Sequence, residues 1–160
     1  VIVVSDTSCL RYLALAGLEM LLPELFGKVL IPPTVAKELA AGAARIERLA
    51  AIADAPWIVV AKVEFPDATP AVSYHLDPGE REALALAWEK HATLLVDDLA
   101  GRKQAALFDL KHIGTLGILV AARQRKLVGP LKPIFEDLVD RHSFRASEEL
   151  IRRTLKSVGE

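Results

Sequence analysis

Five acidic residues, Asp6, Glu38, Glu80, Asp97 and Asp98, are singled out by what precedes them. Asp6 follows Val1-Ile2-Val3-Val4-Ser5, and Asp97-Asp98 follow Thr93-Leu94-Leu95-Val96. Each run is apolar without polar alternation, the pattern of a strand buried on both faces of a parallel α/β sheet. An acid just beyond such a strand lies at its carboxyl end, where ligand chemistry collects in open α/β sheets. A plainer reading stands beside this one, in which Asp6, Thr7 or Ser8 caps the helix that begins near Cys9. Recurrence of the arrangement at a second strand end favours function.

The elements that must position these acids follow from periodicity. Glu38 falls in a helix opened by Pro32-Pro33 and closed before Gly42, beside Val35 and Leu39 at the edge of a buried face. A solvated ion pair is the alternative there. In Asp77-Pro78-Gly79-Glu80-Arg81-Glu82, Asp77 caps, Pro78 opens the helix, and the dipole favours both first-turn acids. The stripe Glu80, Ala83, Leu84, Ala87, Trp88 and His91 predicts Glu80 on the core-facing side and Glu82 further from the sheet. Further helices are expected over Cys9–Ala16, Leu18–Phe26, Ala44–Ala53, Leu99–Asp109, Thr115–Arg125, Leu131–His142 and Ser147–Val158. Short strands fit Lys28–Ile31, Trp57–Val60 and His112–Ile113, and Glu64–Asp77 reads as loop. Alternating strands and helices predict a central parallel sheet of about five strands with helices on both faces.

On that geometry Asp6 and Asp97 emerge on one edge of the sheet, with Glu38 and Glu80 within reach. Carboxylates a few ångströms apart repel by up to about 4 kcal/mol per close pair at an effective dielectric of 20. Either most are protonated or a cation sits among them. All-oxygen ligands select a hard ion, Mg²⁺ or Mn²⁺. His75, His91, His112 and His142 show no zinc spacing, and Cys9 is the lone cysteine. One or two such ions meet the needs of phosphodiester hydrolysis by activating a water and stabilising the departing oxygen. Thr7 and Ser8 could hydrogen-bond that water or the phosphate, with helix capping as the alternative. Arg102 and Lys103 sit in the first turns of a helix, where cations oppose the dipole and suit a phosphate partner. Gly114-Thr115-Leu116-Gly117 could turn backbone N–H groups, including that of Thr115, toward a phosphate.

The totals bound these readings. A chain of 160 residues, 52% hydrophobic and 6% aromatic, is one globular domain with a full core. A single cysteine permits no internal disulfide, and no apolar run approaches the roughly 20 residues of a membrane span. The first residues lack a basic flank and a cleavage pattern, so a soluble cytoplasmic protein is expected. The net charge of −1 conceals an asymmetry. Residues 1–100 hold 8 Lys/Arg against 14 Asp/Glu, and residues 101–160 hold 12 against 7. An acidic pocket beside a phosphate-binding rim produces that division, as does a solvated helical surface.

Taken together, the strand ending in Asp6-Thr7-Ser8, Glu38 after Pro32-Pro33, Gly79-Glu80-Arg81-Glu82-Ala83-Leu84-Ala85-Leu86-Ala87, and Leu94-Leu95-Val96-Asp97-Asp98 followed by Gly101-Arg102 resemble the PIN-domain family. The Gly-Glu helix, the Asp-Asp-x-x-Gly-Arg turn and Gly114-Thr115-Leu116-Gly117 resemble a prokaryotic, toxin-like branch of it. The resemblance runs from residue 1 to about residue 126, leaving 127–160 as a helical extension and interaction surface. It implies a three-layer α/β fold and a ribonuclease dependent on Mg²⁺ or Mn²⁺. Its site would comprise Asp6, Glu38, Glu80 and Asp97 as metal-binding catalytic acids, supported by Asp98. It further implies the toxin of a toxin–antitoxin pair, homodimeric, held inactive by a small antitoxin, and acting on RNA. The chain departs from the family pattern at Glu80, where many members carry Asp, and at Val96, where many carry Thr or Ser. Two other phosphoryl-transfer folds fit less well: a hydrolase would want Asp at Ser8, and a receiver domain Lys at Gly114. A catalytically silent nucleic-acid- or protein-binding module is the rival reading.

Overall fold

The computed structural model describes residues 1–72 and 74–160. Five strands, β1 (Val3–Ser5), β2 (Val29–Ile31), β3 (Ile58–Val60), β4 (Thr93–Leu95) and β5 (His112–Ile113), form one sheet in the order β3-β2-β1-β4-β5. Every pairing is parallel. The chain builds outward from β1 to β2 and β3, then crosses back to lay β4 on the other side of β1. Strand order therefore reverses at β1, and a crevice opens beyond the carboxyl ends of β1 and β4.

The helices are α1 (Thr7–Leu15), α2 (Leu21–Phe26), α3 (Pro33–Gly42), α4 (Glu47–Ala53), α5 (Pro78–Glu89), α6 (Leu99–Leu107), α7 (Thr115–Gln124), α8 (Leu131–His142) and α9 (Glu148–Ser157). The pleat sends alternate strand residues to opposite faces. Val3 and Leu95 join Leu10, Leu39, Ile118 and Phe135 in a core beneath α1, α3, α7 and α8. Val4, Leu94 and Val96 join Ala83, Leu84, Ala87 and Ala105 beneath α5 and α6. The result is the expected three-layer α/β architecture.

Several boundaries differ from expectation for identifiable reasons. Val1 and Ile2 are exposed, because pairing with β2 begins at Val3. α2 starts at Leu21, not Leu18, which keeps Pro23 in the first turn, where its missing N–H does no harm. α4 starts at Glu47 because Arg45 and Ile46 fold back onto the Gly42 carbonyl at 3.0 and 2.9 Å. The buried stripe of α5 is Gly79, Ala83, Leu84, Leu86 and Ala87, with Glu80 half-buried. His91 lies past the end of α5, exposed and with φ +51°. The expected loop before α5 contains a short 3-10 turn at Pro66–Ala68, and residue 73 of that loop lies outside the described residues.

Candidate active site

Asp6 and Asp97 leave the sheet side by side because β1 and β4 are neighbours with Ser5 opposite Leu95. The Asp6 N–H donates to the Leu95 carbonyl at 3.2 Å. Asp6 is 1% exposed. Its Oδ1 caps α1 by accepting from the Cys9 N–H at 3.2 Å. Its Oδ2 is buried with no hydrogen-bond partner. Capping therefore occupies only one of the two oxygens. Burial holds the Asp6 carboxyl well above its usual range, the Cys9 N–H partly offsets this, and the charges of Asp97, Glu80 and Asp77 raise it further.

Asp97 is held from the opposite side. Thr115 donates to it twice, through its N–H at 2.7 Å and its hydroxyl at 2.6 Å, and Cys9 Sγ lies 3.3 Å from Oδ2. Gly114 lets the carboxylate settle there, since a Cβ at that position would lie 2.8 Å from Asp97 Oδ1. Thr115 is fully buried. Its N–H and hydroxyl both donate to Asp97 and so orient that carboxylate.

Glu38 meets the first turn of α5. A Cβ on Gly79 would stand 2.5 Å from Glu38 Oε1, so only glycine allows this approach. Thr7 donates its hydroxyl to Glu38 Oε2. Glu82, which the helical register places away from the sheet, accepts from the Thr34 N–H at 3.0 Å and so caps α3. Glu80 forms a capping box with Asp77: Glu80 Oε2 accepts from the Asp77 N–H at 3.1 Å, and Asp77 Oδ1 accepts from the Glu80 N–H at 2.8 Å. Burial raises the Glu80 pKa, the Asp77 N–H lowers it, and the charges of Asp77, Asp98 and Glu38 raise it again. Asp98 is exposed and caps α6 through the Gly101 N–H at 3.1 Å.

The charges of the acids reach one another. Asp6 feels Asp97 and Glu80, while Glu80 feels Asp98 and Glu38. Among the described residues, no group of three or more His, Cys, Asp or Glu side chains stands ready to hold a metal. The donor set nevertheless fits a hard divalent ion. All its acids offer oxygen, and Asp6 Oδ2 is a buried acceptor lacking a partner beside other negative charges.

Ser8, Glu80, Asp97, Asp98, Arg102 and Arg145 border one hollow of about 360 Å³. Thr7 and Glu38 open into another. Lys103 is exposed and lines neither. Sequence reasoning missed Cys9 as a contact of Asp97, although three residues after Asp6 it faces the same end of the sheet. It also missed Arg145, whose only signal was the basic balance of the last third of the chain.

The family model DUF3368, described as a PIN domain, matches residues 2–160. The chain belongs to the PIN-domain family. The match to the PIN domain runs past residue 126, where the motifs thin out, and takes in α8 and α9. PIN domains are generally nucleases that act on nucleic acids and typically use divalent metals. A solved PilT N-terminus domain protein, SSO1118 from the hyperthermophilic archaeon Sulfolobus solfataricus P2, shares the fold. Its TM-score is 0.58 at 17% identity, over 76% of this chain and 93% of that one. No curated protein matches the sequence. Among the described residues, no helix is long and apolar enough to cross a membrane.

Proposed function

We propose that this PIN domain is an endoribonuclease that uses Mg²⁺ or Mn²⁺ to hydrolyse phosphodiester bonds. The observation carrying the reading is the buried, partnerless Oδ2 of Asp6 next to Asp97 and Glu80, at the crevice where the sheet order reverses. Asp6, Glu38, Glu80 and Asp97 are the metal-holding acids, with Asp98 beside them. A divalent ion supplies Lewis acidity when bound, activating a water and neutralising charge on the leaving oxygen. The chain's own groups do the positioning. Thr115 and Cys9 fix Asp97, Thr7 fixes Glu38, and the α5 capping box fixes Glu80. Ser8 and Arg102 border the same hollow as Asp97, where a phosphate would lie. The assignment as toxin of a prokaryotic toxin–antitoxin pair, with a small antitoxin and a homodimeric state, draws on the motif resemblance alone.

The test is Mn²⁺-dependent cleavage of single-stranded RNA by the wild type, abolished by chelator and by Asp6→Asn. Asn caps helices as well as Asp does, so the variant retains α1. The rival reading, a silent binding module, draws on the local hydrogen bonds that already occupy Glu38, Glu80 and Asp97. RNA binding without Mn²⁺-dependent cleavage would establish it instead.

A further inference from the structure

Cys9, the one cysteine of the chain, is buried in the first turn of α1, three residues after Asp6. Its N–H donates to Asp6 Oδ1 at 3.2 Å, and its Sγ lies 3.3 Å from Asp97 Oδ2. Asp97 Oδ2 also accepts the Thr115 hydroxyl at 2.6 Å, so the thiol is the second donor to that oxygen. Asp6 Oδ2 is buried and has no partner. The charges of Asp97 and Asp6 both reach the thiol. Sulfur thus stands beside both carboxylates that leave the neighbouring strands β1 and β4, where every other donor is oxygen.

A sulfur atom in such a set changes which cations it takes. Oxygen donors alone select hard ions, whereas a thiolate favours zinc and its heavier congener cadmium. In a tetrahedral zinc site, sulfur at about 2.3 Å and carboxylate oxygen at about 2.0–2.2 Å from the ion lie roughly 3.5 Å from each other. The 3.3 Å between Cys9 Sγ and Asp97 Oδ2 is already close to that edge. Withdrawing the thiol proton opens a lone pair on each atom toward the same point. We propose that Cys9 equips the acid site to take up a thiophilic divalent cation of the zinc–cadmium class, held by Cys9 Sγ and Asp97 Oδ2 with Asp6 Oδ2 as the third donor, in place of the hard ion. As the sulfur–metal bond forms, the thiol proton is released to solvent. No three such donors stand at ligand distance among the described residues, so the Asp6 carboxylate shifts to complete the set. An ion held there takes Asp97 from Mg²⁺ or Mn²⁺ and silences hydrolysis. The inference thus names a regulation of the proposed nuclease site and rests on that reading.

Because the chain has one cysteine, a thiolate-to-cadmium charge-transfer band in the ultraviolet reports Cys9 alone. Mn²⁺ binding to the full chain is followed by loss of the free-ion electron paramagnetic resonance signal, and Cd²⁺ is then titrated in. The band should grow to one equivalent while the free Mn²⁺ signal returns. Asp6→Asn should weaken the Cd²⁺ titration, and Cys9→Ser, whose hydroxyl still donates to Asp97, should abolish the band. Zinc-class ions outbind manganese at most sites, so the deciding quantity is the ratio of Cd²⁺ to Mn²⁺ affinity. Cys9→Ser and Cys9→Ala should each lower that ratio more than about tenfold, the loss of a soft donor. Mn²⁺ binding without a band in the wild type, or a ratio unmoved by both variants, overturns the proposal and spares the nuclease reading. A band that forms with Mn²⁺ still bound and is indifferent to Asp6→Asn also overturns it, since the sulfur then binds apart from the acids. If neither ion binds, both readings fall together.

Discussion

Asp6 and Gly79 show how single residues trade stability for a site. Burying the Asp6 carboxylate beside other acids is unfavourable at neutral pH, and its one N–H partner offsets only part of this. Asp6→Asn keeps the cap and deletes the charge. It should raise the melting temperature at pH 7 by roughly 2–4 °C, the response to about 1 kcal/mol in a domain of this size, while abolishing cleavage. Calorimetry beside an RNA cleavage assay checks both halves; a melting temperature that falls would count against the buried charge. Gly79→Ala places a methyl group 2.5 Å from Glu38 Oε1 and must move that flexible carboxylate away. Alanine is also the better helix former, by about 0.5–1 kcal/mol. The variant should therefore melt no lower than wild type yet lose activity about tenfold, read as kcat at saturating Mn²⁺.

The elements carry the acids through contacts between distant parts of the chain. α7 contributes Thr115, whose hydroxyl and N–H both bind Asp97 after β4. Thr115→Val keeps the shape and the N–H bond but removes the hydroxyl. Metal affinity, measured by titration calorimetry, should fall about 10–100-fold, the usual effect of deleting a group that orients a ligand. An unchanged affinity would mean that the N–H alone suffices. The sequence revealed the strands, most helices and the placement of Asp6 and Asp97, because a buried parallel strand followed by an acid is a local pattern. It did not reveal that Glu82 caps α3, that Gly79 makes room for Glu38, or that Thr115 is committed to Asp97. Those facts depend on helix azimuth and on residues brought together by folding. The helix stripe drawn through Glu80 and His91 failed for a related reason. Glu80 is turned partly outward by its bond to the Asp77 N–H, and the chain leaves the helix at Lys90.

At the scale of the whole molecule the buried acids set a pH dependence. Asp6 and Glu80 have folded-state pKa values raised above 3.8 and 4.5, so the folded chain holds their protons more tightly than the unfolded one. Stability from these groups is present at low pH and is lost as pH rises through their raised values. Glu89 and Glu160 act oppositely, since backbone N–H groups lower their pKa values, but their contribution is lost only at pH below the ordinary glutamate range. In chelator, the melting temperature should therefore decline as pH rises above the range where ordinary carboxylates titrate. Saturating Mn²⁺ should abolish the decline and raise the melting temperature, by about 2.7 kcal/mol of stabilisation at one hundred times its Kd. Differential scanning fluorimetry with and without Mn²⁺ checks the sign; a rising curve in chelator would contradict the buried cluster.

The central position of β1 has a bearing on biosynthesis. Within this domain residues 1–60 are made before the rest and supply β3, β2 and β1 with Asp6 and Glu38, but β4, Asp97 and the Thr115 that steadies it follow later. Domains assemble from the amino end as they are made. The domain thus carries half a cleft until β4 and α7 have been made, and its acids come together only when the later strands dock beside the first.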